Sequence, residues 1–342
     1  MARSASAGKH FQGTAIAAVA IAIGALFALG RTSLFETKVS FLVANAGEAQ
    51  PAAGIDSRPE IVVSDIREIE KPVDVTLAQS TGKLHDLFEE IGYKLDSVRQ
   101  RGEVPRLFIA RLPSDLRELP RAEQRKVTFI KSTLPLILNA NELIERERRQ
   151  IIELRDRVLL GQKLAPEDTA WLADTADEYG LDSLDFDALL KRVDVVPPSL
   201  AIAQAAEESG WGTSRFAREG NALFGQRAYR THRKGIVPHE RQEGKKFRVR
   251  AFDYLIDGVR AYVHNLNSHF AYQDFRDLRA FLRAERGHID GYALAGSMLR
   301  YSERGADYVE TIRLIMRANA LQVFDAARLD AVYSADEDGP DA

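Results

Sequence analysis

The stretch Ser199–Ser214, SLAIAQAAEESGWGTS, sets two carboxylates at the end of a helical pattern and follows them with a glycine-flanked tryptophan. At 100° per residue Ala201, Ile202, Ala205 and Ala206 form one apolar arc whose small side chains let another helix approach closely. Glu208 lies at the border of that arc, whereas Glu207 points to the opposite side. Pro197-Pro198-Ser199 is a start signal, predicting a helix over Leu200–Ser209 with Ser199 as N-cap and a stop at Gly210. Glu208 then sits in the last turn, half buried and beside the negative end of the helix dipole, and both surroundings disfavour its ionised form. A carboxylic acid held protonated near neutral pH can protonate the leaving oxygen of a glycoside. Trp211 and Phe224, close in sequence to this end, offer flat faces for stacking sugar rings. Residue types alone leave the ordinary readings open: a lone helical Glu is usually solvated, a lone Trp is usually core, and the glycines around Trp211 fit a helix C-cap.

Other chemistries find less support. His232, His239, His264, His269 and His288 do not share a ligand spacing. His264 and His269 are five apart, off one helix face, and no H-E-x-x-H pattern or cysteine occurs. No metal and no cofactor is expected. Ser209 lies in Glu-Ser-Gly rather than Gly-x-Ser-x-Gly, so an esterase elbow is not supported. A formal net charge of −3 gives no global basic field, and nucleic acid is not expected as a partner.

Elements that position these residues follow from periodicity. Leu84, Leu87, Phe88, Ile91 and Leu95 predict an amphipathic helix ending near Arg101-Gly102. After an extended piece around Leu107–Ala110, a long helix begins near Arg121. Pro135 is expected to kink or break it. Its segment Glu142–Arg157 alternates in charge, with Glu142–Arg146, Glu145–Arg149 and Glu153–Arg157 in the favourable i,i+4 order, the pattern of a solvated face. Further helices are expected over Glu167–Tyr179, Asp185–Val193, Leu255–Asn267, Asp274–Glu285, Gly291–Met298 and Ala306–Leu321. Between them, Gly235–Phe252 alternates as a β-hairpin with its turn at Gln242-Glu243-Gly244. Upstream of all this, Arg3, Lys9 and His10 precede an apolar run, Thr14–Gly30, expected to act as a signal anchor or signal peptide in the inner membrane. The expected division is 1–31 anchor or signal, 32–81 linker, 82–195 helical first part of the body, 196–325 catalytic domain and 326–342 acidic tail.

Ala205-Ala-Glu-Glu-Ser-Gly-Trp-Gly-Thr-Ser214, followed by Asn221-Ala-Leu-Phe-Gly225, resembles the signature of bacterial glucosaminidase domains, in which A-x-x-E-S-G-W-G-x-S precedes N-x-L-F-G. Leu134-Pro-Leu136, Asn141, Phe252-Asp253, Val259-Arg-Ala-Tyr262, Asn265-Leu-Asn267 and Tyr301-Ser-Glu-Arg-Gly-Ala-Asp-Tyr308 extend the likeness to the Bax-type branch, over roughly Val104–Leu321. The resemblance implies a mainly α, lysozyme-like helical domain with a small β-hairpin lobe. It also implies endo-β-N-acetylglucosaminidase activity on peptidoglycan glycan strands, in the periplasm. It puts the catalytic acid on Glu208 and an active-site tyrosine on Tyr301, with Gln204, Trp211, Asn221, Phe224 and Tyr262 shaping the substrate groove. Family members tend to carry a second carboxylate in the hairpin lobe, where this chain offers Glu240 and Glu243. The basic cluster Arg227, Arg230, Arg233, Lys234, Arg241, Lys245 and Lys246 is either an attractant for acidic wall components or a soluble hairpin edge. A lytic transglycosylase and a catalytically silent glycan-binding scaffold remain the alternatives, and no protein regulator is identified.

Overall fold

The structure, a computed structural model, describes residues 80–228, 235–237 and 248–331. The Thr14–Gly30 run, Glu240, Glu243 and the acidic tail from 332 lie outside the described residues. Within them, no helix is long and apolar enough to cross a membrane. The architecture is mainly helical with two small sheets.

Ser80 caps α1 (Thr81–Glu90) by accepting the Lys83 N–H. The single helix expected to run on to Arg101 is two, because the chain turns at Gly92 (φ +65°) before α2 (Leu95–Arg101). β1 (Glu103–Val104) then pairs in parallel with β5 (Arg328–Leu329), closing the start of the body against its end. Leu107–Ala110 is buried, without a strand of its own.

α3 (Ala122–Leu159) is 38 residues long and runs through Pro135 without a break, against expectation. Phe129 to Asn141 is buried without interruption, and packing on all sides offsets the ~3 kcal/mol that an interior proline costs. Its charged half pairs across the fold: Arg106 grips both Glu142 oxygens at 2.8 Å, and Arg157 reaches Asp168 at 3.1 Å. α4 (Pro166–Glu178) and α5 (Phe186–Arg192) pack on the far end of α3 around a small apolar cluster of Ile151, Leu154, Leu172 and Leu189.

α6 (Pro198–Ser209) is the centre of the main core. Every residue from Pro198 to Ala206 is buried, so it is enclosed all round rather than along one arc. Its alanines admit α3, the helix Ala306–Ala318 and the turns near residue 325 at close range. Ser199 is not the N-cap. The helix begins at Pro198, and Ser199 donates both its N–H and its hydroxyl to Asp325 at 2.8 Å, so a carboxylate 126 positions away satisfies the helix start.

α7 (Arg215–Gly220) leads to a three-stranded antiparallel sheet in the order β2 (Arg227–Ala228), β4 (Arg248–Arg250), β3 (Gly235–Ile236). The expected pairing of Gly235-Ile236 with the later strand is present, Gly235 opposite Arg250, and β2 adds a strand beside it. α8 (Leu255–Ser268), α9 (Gln273–Arg286), α10 (Gly291–Leu294) continued by a 3-10 turn to Arg300, and α11 (Ala306–Ala318) complete the body.

Candidate active site

A cleft of about 1250 Å³ opens beside the C-terminal end of α6, with Glu208, Phe224, Gly225, His264, Tyr272 and Tyr301 on its lining. Its construction begins with the turn that ends α6. Gly210, Trp211 and Gly212 are three consecutive left-handed residues (φ +58°, +57°, +78°). The Ser209 hydroxyl closes the turn by donating to Ala205 and accepting the Gly212 N–H at 2.8 Å. A side chain at Gly212 would come within 2.5 Å of Leu112, so this glycine answers both a backbone and a space requirement. The reversal sends the chain through α7 and back.

Asn221 ends α7 in the left-handed region (φ +52°), and its amide donates to the carbonyls of Phe252 and Asp253 at 3.1 and 2.9 Å. It is wholly buried and clamps the returning chain to the end of the sheet. Leu223 and Phe224 then enter the core, and Gly225 (φ +62°) passes the catalytic candidate so closely that an added Cβ would lie 3.2 Å from Glu208 Oε2. The two halves of the sequence signature thus meet at one carboxyl group.

Glu208 is partly buried. Burial raises its carboxyl above the usual carboxylate range, opposed by a hydrogen bond from the Tyr308 hydroxyl; neighbouring Glu207 raises it further and Arg304 lowers it. Glu207 and Arg304 pair with each other at 2.6 Å, so most of their effect on Glu208 cancels. Burial leads among these causes and the net direction is upward, for a carboxyl that lies on the cleft lining.

Tyrosines surround it. Tyr301 lines the cleft, stacks on Tyr308 (centroids 5.5 Å apart, planes at 11°) and donates its hydroxyl to the Phe224 carbonyl at 3.2 Å. Burial holds its phenol well above the usual range, with nearby Tyr308 adding to the rise. Phe224 also lines the cleft and stacks on Tyr262 at 3.9 Å and 7°.

Four residues expected to shape the groove are placed elsewhere, the buried Asn221 clamp among them. Trp211 packs its ring against Phe129 (5.7 Å, edge-on) with the Lys126 ammonium over it, and it is not part of the cleft lining. Gln204 and Tyr262 have no exposed surface and bond to each other beneath the cleft floor. Tyr308, Tyr272, His264 and Glu178 were not assigned to the site from the sequence, although the first belongs to the quoted motif and His264 was weighed only as a metal ligand. The seven-residue spacing of Tyr301 and Tyr308 within one ordered motif was the available signal for the first. For His264 and Glu178 no local pattern pointed to the cleft, because the lining residues come from three different helical segments. Burial lowers the His264 imidazole, against Glu178, which raises it.

Residues 184–321 match the glucosaminidase family, described as mannosyl-glycoprotein endo-beta-N-acetylglucosaminidase. The chain is similar to Protein bax of Escherichia coli (strain K12), 35% identical over 200 residues, which cover 57% of this chain and 69% of the relative. Among solved structures it is similar to the catalytic domain of the autolysin Auto from Listeria monocytogenes, with a TM-score of 0.31 and 16% identity, covering 50% of this chain and 96% of that one. The matched segment carries α6, the turn at Gly210–Gly212, Asn221–Gly225 and Tyr301–Tyr308, so on the identity to Protein bax and the domain match together the chain belongs to the Bax-type glucosaminidase family.

Proposed function

We propose that the chain is a peptidoglycan hydrolase of lysozyme-like architecture that cleaves β-1,4 bonds on the reducing side of N-acetylglucosamine, with Glu208 as general acid. The observation that carries this reading is the setting of the Glu208 carboxyl. Burial raises its affinity for the proton, it is held against Gly225, and it opens to a cleft rather than being sealed in the core. A group that must deliver a proton to a bond needs both features: a raised affinity for the proton and a path to the leaving oxygen. The cleft exceeds the ~300–1,000 Å³ usual for a small-molecule pocket and suits a polymer laid along it. Tyr301 and the edge of Phe224 supply a polar tip and an apolar face on its floor.

The reaction needs a second group, either a carboxylate of the hairpin lobe (Glu240 or Glu243) or the N-acetyl oxygen of the substrate itself. The same reading puts the catalytic body outside the inner membrane, held by the Thr14–Gly30 run. Protease accessibility of the body in spheroplasts, as opposed to protection, checks that placement.

The decisive experiment incubates the full chain with purified peptidoglycan, wild type beside Glu208→Gln, and identifies fragment ends by mass spectrometry. Fragments ending in reducing N-acetylglucosamine, lost by at least ~10²-fold in the variant, are expected. Anhydro-sugar ends would make the chain a lytic transglycosylase, and affinity for the glycan without turnover would make it a scaffold.

A further inference from the structure

Gln204 lies one turn before Glu208 on α6 and has no exposed surface. Both ends of its amide are in use: the Tyr262 hydroxyl donates to Oε1 at 2.7 Å, and Nε2 donates to the Tyr308 hydroxyl at 3.0 Å. A neutral phenol carries one proton. Tyr308, accepting from Gln204, keeps its own proton free for the Glu208 carboxyl beside it, whose ionised form its hydroxyl favours. The two bonds therefore run in one direction, from Tyr262 through Gln204 to Tyr308, and aim the Tyr308 proton at Glu208. Tyr262 is fixed at the head of the chain by its stack on Phe224, and Tyr308 near the end of it by its stack on Tyr301. An amide turned the other way would accept the Tyr308 proton and leave Glu208 without that donor.

We propose that Gln204 is a positioning residue for the reaction, holding the Tyr308 proton on Glu208 and so setting how readily the catalytic acid releases its own proton. The proposal rests on Glu208 being the general acid. The charged groups facing Glu208 are Glu207 of its own helix and Arg304 from the segment before α11, paired with each other. The other titratable groups around it are the phenols of Tyr262, Tyr272, Tyr301 and Tyr308. A donor on a carboxylate favours the ionised form, so loss of the donor moves the titration upward.

The test uses the full chain with two readouts: the titration of the Glu208 side-chain carboxyl followed by carbon-13 NMR, and the alkaline limb of the kcat/KM profile on peptidoglycan. Tyr308→Phe is expected to move both upward by about one pH unit. Gln204→Met keeps the volume, removes the amide and moves both in the same direction. The double variant adds nothing to Tyr308→Phe, because both substitutions act on one bond. An unchanged Glu208 titration in Gln204→Met, with Tyr308→Phe shifted, makes Gln204 a packing residue and overturns the proposal. If Gln204→Met does not fold, Tyr262→Phe removes one hydroxyl from the head of the chain. An upward shift there supports the proposal, and an unmoved titration overturns it. Cleavage that survives Glu208→Gln would sink the general-acid reading instead, while the NMR titration still reports on Gln204.

Discussion

At the scale of single residues, the site depends on a few positions where backbone conformation and space coincide. Gly225 is the sharpest of them. Its φ of +62° lies where an L side chain is strained, and its missing Cβ leaves room for the Glu208 carboxyl at 3.2 Å. Gly225→Ala is expected to cost about 1–2 kcal/mol in stability and to lower kcat by ~10²-fold, since a small displacement of the acid spoils its alignment with the leaving oxygen. Thermal unfolding and steady-state kinetics on the same preparation separate the two effects. A drop in stability with kcat intact would mean that Gly225 serves only the turn.

At the scale of elements, α6 is a strut held at both ends by distant parts of the chain. Its C-terminal end is set by the left-handed turn and Ser209. Its N-terminal end is set by Asp325, which accepts from Ser199 N–H, Ser199 Oγ and Gly291 N–H at 2.8, 2.8 and 3.1 Å. Asp325→Ala leaves those buried donors unpaired at the positive end of the helix dipole. The expected loss is about 3 kcal/mol at pH 5, where the folded state still holds the Asp325 proton, read as a lower urea midpoint. A shift of a few tenths would mean that solvent takes over the cap. Nearby, Asp194 gathers Arg283 (2.5 and 2.8 Å) and Arg148 (3.8 Å), while fully buried Arg279 donates to the carbonyls of Lys191, Arg192, Asp194 and Val195. This network ties α3, α5 and α9 to the segment that enters α6, so the orientation of the Glu208 helix is set by charges well away from the cleft.

At the scale of the whole molecule, two buried carboxylates make stability depend on pH. Burial pushes Glu147 up to about 7, although Tyr179 donates to it at 2.7 Å, and pushes Asp325 up to about 6. For each, the folded state holds the proton more tightly than the unfolded chain does. The stability they contribute is therefore complete below the ordinary carboxylate range. It declines as pH rises through about 6 for Asp325 and about 7 for Glu147. Glu147→Gln keeps the acceptor for Tyr179 and removes the titration. It is expected to match wild type near pH 4 and to exceed it at pH 8 by about 3 kcal/mol, visible as a higher Tm. A Tm difference that does not vary with pH would show that Glu147 ionises in the fold as it does in water.

The sequence by itself determined the helical character of the body, the short sheet around Gly235–Arg250 and the candidate acid. Those features rest on local rules: apolar periodicity, strand alternation, and a motif in which order along the chain carries the information. Tertiary structure decided what local rules cannot reach. α3 continues through Pro135 because its neighbours bury that stretch completely. α6 starts under Asp325 rather than Ser199 because a buried carboxylate met its free N–H groups first. Trp211 packed against Phe129 at the edge of the core and Gln204 and Tyr262 went beneath the floor, since the direction of a side chain depends on which elements close around it. The tyrosine that touches Glu208 comes from a helix about a hundred residues later in the chain, and only folding brings the two together.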